Sequence, residues 1–241
     1  MTGERPRYQR VLIKISGEGL CSAGGFGIQS SAVKSVVDEV LPVVQLGVQV
    51  ALVVGGGNFV RGRDLADNPD IHRATADYMG MLATVINALA LQDSFESRGV
   101  PTRVMSAITM TAVCEPWIRR RAIRHLEKGR VVILAAGTGS PFFTTDTCAA
   151  LRANELGAEA LLKATKVDGV YDSDPLANPA AKHYPRLTYQ KVLHDRLGVM
   201  DLTAISMAME SGMPILVFQL SKSGNLLRAV TGQEVGTLVS G

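Results

Sequence analysis

Two lysines stand where an apolar strand would normally carry no charge. Lys14 interrupts the apolar run Val11–Ile15, and Lys163 lies within the run Ala160–Thr165. A lysine inside a buried strand is costly unless it is paired or faces an anion. We therefore interpret both lysines as candidates for binding a negatively charged ligand, the alternative being edge residues that extend into solvent.

Glycines cluster directly after three of the predicted strands, at 16–19, 55–58 and 137–139. Glycine adopts a positive φ without strain and lets a phosphate approach the backbone without meeting a Cβ atom. In an open parallel sheet, anions bind beyond the carboxyl ends of the strands. Any one of these loops could be a simple tight turn, but together they predict a site for two or more anionic groups.

The glycine loops do not match the common nucleotide fingerprints. Gly55-Gly56-Gly57 lacks the last glycine of G-x-G-x-x-G because Val60 stands there, and no G-x-x-x-x-G-K-[ST] occurs. Rossmann dehydrogenases and P-loop enzymes are therefore disfavoured.

Phosphoryl transfer fits these features, because it needs positive charge on the moving group, a bridging metal and little covalent chemistry from the protein. The acidic candidates are Asp77, Asp146, Asp174 and Asp201. From position alone, Asp146 could equally cap a helix. Arg61, just beyond the triple glycine, could brace a phosphate or be an exposed loop residue.

The elements that must position these residues alternate along the chain. Strands are predicted at Val11–Ile15, Val48–Val54, Arg103–Met105, Val131–Ala136, Ala160–Lys163, Pro214–Phe218 and Gly236–Val239. Helices are predicted at Ser31–Leu46, Arg73–Arg98, Pro116–Lys128, Thr145–Leu156, Met200–Ser211 and Asn225–Val230. This alternation predicts an α/β fold with a parallel sheet covered on both faces. The proline-rich stretch 168–186 is expected to be a long irregular loop or lid.

Composition bounds the class of protein. The chain has 241 residues, 46% of them hydrophobic, and a net charge of +3, which is too small to imply a nucleic-acid or membrane surface. Its three cysteines are widely spaced and suggest neither a disulfide framework nor a zinc site. We expect one domain over residues 1–241, located in the cytoplasm and not membrane-spanning.

Several motifs together resemble the amino-acid-kinase family and, within it, the bacterial enzymes that phosphorylate UMP. They are KISGE at 14–18, GFG at 25–27, GGGN at 55–58 with RG at 61–62, DYMGM at 77–81, GTGSPFFTTD at 137–146, KATKVDGVY at 163–171 and DP at 174–175. The resemblance runs over nearly the whole chain. It implies a three-layer α/β/α sandwich with a central, mainly parallel sheet, a homohexamer, and Mg²⁺-dependent transfer of a phosphoryl group from ATP to UMP.

The resemblance also implies residue roles, which we state as expectations. The catalytic residues would be Lys14, Lys163, Asp146 and Asp201, with Asp201 orienting the lysines and with Asp146 and Asp174 holding Mg²⁺ or its waters. The ATP side would comprise Lys14, Ile15, Ser16, Gly17, Gly57, Arg61, Thr165, Tyr171 and Asp174. The UMP side would comprise Gly56, Asp77, Thr138, Gly139, Ser140, Pro141, Phe142, Phe143, Thr144 and Thr145.

Regulation by nucleotides is a further implication, with GTP as activator and UTP as inhibitor. The effector region would comprise Ser22, Ala23, Gly24, Gly25, Phe26, Gly27, Arg103 and Arg130. Two other readings stay open: a kinase of the same fold with a carboxylate or carbamate acceptor, and a nucleotide sensor without catalysis. Residues 64–72 match no motif of the family.

Overall fold

The computed structural model describes residues 5–22, 24–60 and 70–241. The strands are β1 Arg10–Ile15, β2 Gln49–Val54, β3 Thr102–Ser106, β4 Glu115–Pro116, β5 Val131–Ala135, β6 Ala160–Thr165, β7 Val170–Tyr171, β8 His183–Tyr184, β9 Arg186–Thr188, β10 Ile215–Gln219 and β11 Thr237–Ser240. The helices are α1 Ser30–Gln45, α2 Arg73–Glu96, α3 Arg119–Glu127, α4 Thr145–Leu156, α5 Tyr189–His194, α6 Leu202–Ser211 and α7 Asn225–Val230, with a short 3₁₀ helix at Gly17–Leu20.

One nine-stranded sheet organises the molecule, in the order β4-β3-β5-β2-β1-β6-β10-β11-β9. All neighbouring pairs are parallel except β10 with β11, so β11 and the edge strand β9 run opposite to the rest. The sheet combines strands from both halves of the chain. The predicted mainly parallel α/β fold is confirmed, while the single domain over 1–241 stays a prediction.

Helices cover both faces of the sheet and give it two hydrophobic cores. Side chains alternate along β1: Val11 and Ile13 pack with α1, α2 and α7, whereas Leu12 packs with α3, α4, α5 and α6. Lys14 follows Leu12 at a spacing of two, and Lys163 follows Leu161 in the same way on β6. The period of two therefore places both lysines on the face that carries α4.

The predicted elements are confirmed to within a few residues, with three exceptions. The stretch 168–186 is not wholly irregular, because β7 and β8 form a hairpin in which Val170 pairs with Tyr184. The helix predicted from Pro116 begins at Arg119, since Glu115–Pro116 pairs with β3. The short elements β9 and α5 were not predicted. Strands of two or three residues are too short to show a hydrophobic period.

Helix α2 combines a core face with an exposed apolar face. The helix is long enough to cross a membrane, and an 18-residue stretch of it has a sufficient mean hydropathy of 1.3. However, 44% of that stretch is buried against the rest of the protein. The exposed apolar side chains on it are Tyr78, Met79, Leu82 and Ile86. The buried side packs on the sheet, so α2 is a core helix. Its exposed apolar side chains are not covered by other residues in the described part of the chain.

A pair of buried amides joins α2 to the loop after β2. Asn87 Nδ2 donates to Asn58 Oδ1 at 2.7 Å, and Asn58 Nδ2 donates to Asn87 Oδ1 at 2.9 Å. Asn87 also donates to the Gly55 carbonyl at 2.8 Å, and Asn58 to the Gly27 carbonyl at 2.7 Å. Both side chains are buried, so these bonds hold the triple-glycine turn where water cannot replace them.

We predict that Asn87→Leu destabilises the protein by about 2–4 kcal/mol, since it leaves Asn58 and the Gly55 carbonyl without their partner in a buried site. Urea unfolding followed by circular dichroism measures this. Asp93→Leu, at an exposed position of the same helix, should stay within about 0.5 kcal/mol of the wild type. Equal stabilities of Asn87→Leu and the control would show that the amide pair does not hold the fold.

Candidate active site

A buried carboxylate lies between the two strand lysines. Lys14 and Lys163 are direct neighbours across the β1–β6 pair. Asp146, in the first turn of α4, contacts both: its Oδ1 lies 2.7 Å from Lys14 Nζ and its Oδ2 lies 2.7 Å from Lys163 Nζ. The Lys163 contact is an aligned hydrogen bond, whereas the Lys14 contact is an ion pair without that alignment. We call these three residues the lysine triad.

The charges of the triad depend on one another. Burial raises the pKa of Asp146, but the positive charges of Lys14 and Lys163 outweigh it, so the pKa lies below its ordinary value of 3.8. Burial is also the main effect on Lys163 and lowers its pKa from the ordinary value, although Asp146 opposes this. The ammonium group of Lys163 also donates to the Val199 carbonyl. The triad carries more positive than negative charge, which suits an anionic ligand.

The start of α4 is fixed by Thr144 and Asp201. Thr144 Oγ1 is the N-cap, accepting from Asp146 N at 3.0 Å and Thr147 N at 3.2 Å. Asp201 accepts from Thr147 N at 3.1 Å and caps α6 through Ala204 N at 2.9 Å. The alternative that Asp146 merely caps the helix is therefore wrong, because Thr144 does so and leaves Asp146 free to contact the lysines.

Asp201 acts on the triad from a distance. Its hydrogen bonds in the described structure go to Thr144, Thr147 and Ala204 rather than to a lysine. Its negative charge nevertheless opposes, with that of Asp146, the lowering of the Lys163 pKa by burial. It ties the first turns of α4 and α6 together and so helps to place Asp146.

The loop between β5 and α4 has an unusual backbone. Ala136, Gly137, Gly139 and Phe142 all have positive φ, at 61°, 55°, 82° and 70°. For alanine and phenylalanine this conformation is strained and must be held by other contacts. Thr84 of α2 accepts from Ala136 N at 2.7 Å, and Asp77 Oδ2 accepts from Phe142 N at 2.8 Å. Helix α2 therefore shapes this loop, which we call the 137–143 loop.

A cavity of about 180 Å³ opens beside the 137–143 loop. Of the residues expected on the UMP side, it is lined by Gly56, Asp77, Thr138, Phe143, Thr144 and Thr145. Gly139, Ser140, Pro141 and Phe142 belong to the same loop but do not line the cavity. Val60, Ala76, Gly80, Met81, Thr84 and Gly137 complete the wall.

A larger cavity of about 460 Å³ has Lys163 of the triad in its wall. Of the expected ATP-side residues it is lined by Thr165, Tyr171 and Asp174, and Lys163, expected to be catalytic, also lines it. Its wall also includes Asp172, Asp195, Arg196 and Gly198, which sequence reasoning did not single out. These loop residues have no strand period or motif that would have marked them. The triad links the two cavities, because Lys163 lines this one and Asp146 directly follows Thr145 of the smaller one.

The first two glycine loops touch each other through their backbones. A Cβ atom on Gly17 would lie 2.6 Å from the Gly55 carbonyl oxygen and 2.8 Å from Gly57 N. A Cβ atom on Gly56 would lie 2.5 Å from the Gly80 carbonyl oxygen. A side chain at Gly17 would push apart the loops after β1 and β2, and one at Gly56 would push the second loop away from α2. Ile15, Ser16 and Gly17 thus lie beside the triple glycine.

The expected effector residues fall in two places. Phe26 and Gly27 contact the triple-glycine loop, where Phe26 packs edge-on against Phe59 and Gly27 N donates to the Asn58 carbonyl, while Gly25 N donates to the Ser22 carbonyl in the same segment as Gly24. Arg103 and Arg130 lie elsewhere: Arg103 Nε is 3.8 Å from Glu115, and Arg130 contacts His125 at 3.0 Å.

Two of the expected site residues, Ala23 and Arg61, lie outside the described residues, as does 64–69 of the unmatched segment 64–72. The functional roles assigned to individual residues stay predictions. Asn87 and Thr84 are additions to the sequence-based set. Both are polar residues in the middle of an apolar helix pattern, which is the one signal that could have marked them.

Comparison with known proteins defines the class. Residues 9–219 match the Amino acid kinase family, and the chain belongs to that family. Its structure is similar to UMP kinase from Bacillus anthracis, with 42% identity, a TM-score of 0.94 and coverage of 98% of this chain and 97% of that one. It is also similar to UMP kinase from Ureaplasma parvum (37% identity, TM-score 0.90, coverage 98% and 100%) and to uridylate kinase from Archaeoglobus fulgidus (29%, 0.73, 95% and 99%).

We predict that Asp146→Asn lowers stability by about 3 kcal/mol at pH 7, because two adjacent buried lysines lose their counter-charge. The folded-state pKa of Asp146 is below 3.8, so its ionised form stabilises the fold above that pH. This contribution is lost as pH falls through the lowered pKa. The difference between variant and wild type should therefore shrink below pH 3.8.

Denaturant unfolding at a series of pH values measures this difference. Asp38→Asn is the matched control, because Asp38 also pairs with a lysine but is exposed. We expect no measurable change in that variant. A difference for Asp146→Asn that is the same at pH 3 and pH 7 would contradict the assigned charge of the carboxylate.

Proposed function

We propose that this chain is a UMP kinase that catalyses the Mg²⁺-dependent, reversible transfer of the γ-phosphoryl group of ATP to UMP, giving UDP and ADP for pyrimidine nucleotide synthesis. The observation that carries the proposal is the lysine triad, with Lys163 in the wall of the larger cavity and Asp146 directly after Thr145 in the wall of the smaller one. The solved structures similar at 42% and 37% identity are UMP kinases, which supports the choice of acceptor.

The cavities differ in a way that suits the two substrates. The larger, with Lys163, Thr165, Tyr171 and Asp174 in its wall, suits the donor ATP. The smaller, beside the 137–143 loop, suits the acceptor UMP. Gly17, Gly56 and Gly57 lie where the phosphates of the two nucleotides would meet.

The proposed chemistry needs alignment and charge rather than a general base. The acceptor is the phosphate of UMP, which is already an anion at pH 7. Lys14 and Lys163 would neutralise charge on the transferring group, and Asp146 would hold the two ammonium groups in register before the nucleotides bind. Asp201 would keep Asp146 in place through the N-terminus of α4.

Magnesium fits the donor cavity through its carboxylates. In the described part of the chain, no group of three or more His, Cys, Asp or Glu could hold a metal alone. Mg²⁺ in nucleotide sites typically takes one or two carboxylates together with substrate phosphates. Asp174 and Asp172 line the cavity, and Asp174 suits this role better than Asp146, both of whose oxygens already contact lysines. When bound, the ion would add positive charge to the phosphates.

We predict that Lys14→Met lowers kcat by about two or more orders of magnitude, because one well-placed charge contributes about 3–4 kcal/mol to transition-state stabilisation. A coupled ADP-release assay with ATP, Mg²⁺ and UMP measures it. The exposed Lys34 provides the control, and Lys34→Met should turn over like the wild type. Near-normal turnover of folded Lys14→Met would refute the role of Lys14.

The same assay separates the possible acceptors. UMP, CMP and N-acetylglutamate are compared as substrates, and we expect UMP to be the preferred one. Activity with N-acetylglutamate alone would replace the proposal with a carboxylate kinase. Binding of ATP and UMP without UDP formation in the presence of Mg²⁺ would indicate a nucleotide sensor.

We also propose a homohexamer in which the exposed stripe of α2 is a subunit contact. Tyr78, Met79, Leu82 and Ile86 are large apolar side chains on one helix, each more than a third exposed. Exposed apolar patches of this kind mark interaction surfaces.

We predict that Leu82→Glu reduces the molar mass measured by light scattering after size-exclusion chromatography, because it places a charge in an apolar contact. Met209→Glu, an exposed apolar position on α6, is the control and should keep the wild-type mass. An unchanged mass for Leu82→Glu would remove α2 from the subunit contact.

Regulation by GTP and UTP, and a cytoplasmic location without need of a nucleic acid or membrane, are further parts of the proposal. A cavity of about 300 Å³ lies beside Arg103 and could take an anionic effector. The free thiols of Cys21, Cys114 and Cys148 and the net charge of +3 support a reducing, soluble setting.

A further inference from the structure

One continuous run of the chain forms much of the wall of the larger cavity. Residues 169–175 all line it, and this run contains β7, which pairs with β8. The β7–β8 hairpin is a two-stranded sheet of its own, separate from the nine-stranded sheet. A hairpin of two strands is at best marginally stable by itself. Contacts from outside the hairpin must therefore hold this wall in shape.

The hydroxyl group of Thr237, the first residue of β11, binds both strands of the hairpin. Val170 N of β7 donates to Thr237 Oγ1 at 2.8 Å, and the hydroxyl donates to the Tyr184 carbonyl of β8. His183 Nε2 lies 3.4 Å from the same oxygen. A hydroxyl has one proton and two acceptor positions, so the contact with His183 requires a proton on Nε2. We call Thr237, Val170, Tyr184 and His183 the hairpin anchor.

The hairpin anchor is buried and closely packed. Thr237 is 0% exposed, so water cannot replace the bonds that its hydroxyl makes. A Cβ atom on Gly169 would lie 2.7 Å from Thr237 Oγ1, so only glycine lets the hairpin approach this closely. Thr237 also pairs with Val217 of β10. The hydroxyl therefore ties the cavity wall to the central sheet.

We propose that Thr237 is a positioning residue that holds residues 169–175 in the shape that binds the donor nucleotide. The proposal rests on the proposed function, because it assumes that ATP occupies the larger cavity. Thr237 does not line that cavity, so it acts through the hairpin. Tyr171, which does line it, packs edge-on against His183 of the anchor with ring centroids 5.1 Å apart. Without the hydroxyl, ATP has to order this wall when it binds, which weakens donor binding rather than the transfer step.

The test compares Thr237→Val, which keeps the shape but removes the hydroxyl, with Thr237→Ser, which keeps the hydroxyl. We expect Thr237→Val to raise KM for ATP about fivefold or more, because Val170 N and the Tyr184 carbonyl lose a buried partner. KM for UMP, and kcat at saturating ATP, should change less than about twofold. Thr237→Ser should keep KM for ATP within about twofold of the wild type. Equal rises in KM for ATP and UMP, or no rise in either, would overturn the positioning role.

Thr102→Val is the matched control. Thr102 is also 0% exposed at the start of a strand, and its hydroxyl donates to a backbone carbonyl, that of Val100, at 3.0 Å. This variant should lose stability in urea to a similar degree but keep KM for both nucleotides. If Thr102→Val raises KM for ATP as much as Thr237→Val does, the effect is general destabilisation and the positioning role is overturned.

Hydrogen–deuterium exchange in the wild type tests the anchor without any variant. The Val170 amide should exchange slowly before ATP is added, because it donates to a buried hydroxyl. Mass spectrometry of peptides that cover Val170 measures this exchange. Rapid exchange in the ATP-free wild type would overturn the anchor, even if Thr237→Val did not fold.

Calorimetric titration with ATP in the absence of UMP separates failure of the anchor from failure of the proposed function. If the wild type binds ATP but forms no UDP, the kinase proposal fails and the anchor is judged by the ratio of the ATP affinities of Thr237→Val and wild type. If the wild type forms UDP while Thr237→Val keeps the wild-type KM and affinity for ATP, the anchor fails and the kinase proposal stands. Absence of ATP binding to the wild type would overturn both.

Discussion

Two like charges on adjacent buried strands are the constraint on which the rest of the site depends. Lys14 and Lys163 are direct neighbours in a parallel pair, on the same face of the sheet. Side by side and away from water they would repel each other, and only a carboxylate between them makes the arrangement tolerable. Asp146 must therefore arrive at a fixed point above β1 and β6. Three features bring α4 to that point: the N-cap at Thr144, the hydrogen bonds that Asp201 accepts at the start of α4, and the strained 137–143 loop.

The glycine loops satisfy a second requirement, which is close approach without side chains. The loops after β1 and β2 are in backbone contact at Gly17 and Gly55, and Gly56 is pressed against α2. Loops packed this closely can bring two anionic groups near the same lysines. The reciprocal amides of Asn58 and Asn87 hold the second loop in place by tying it to α2.

The sequence predicted the framework of the fold better than its connections. The central strands and the helices Thr145–Leu156 and Asn225–Val230 follow from hydrophobic period and length, which are local properties. Lys14 and Lys163 could be recognised because charge breaks an apolar run. Asp146 could not be assigned from position alone. An acidic residue at the start of a helix can cap the helix or belong to a functional site, and only the fold distinguishes these two roles. Asn87 and Thr84 act on loops 32 and 52 residues away in sequence, and no local pattern encodes such contacts.

The charge balance of the triad explains how a buried ion pair can serve phosphate chemistry. Two ammonium groups and one carboxylate leave an excess of one positive charge, and burial already lowers the pKa of Lys163. In the proposed function, a phosphoryl group beside the lysines would supply the negative charge that the site lacks. In the proposed reaction the stabilisation would then grow as negative charge builds up on the transferring group, because the lysines are held by Asp146 and do not have to be drawn in from water. A single lysine without this neighbour would be free to bend toward solvent, and its charge would be screened before the transition state formed.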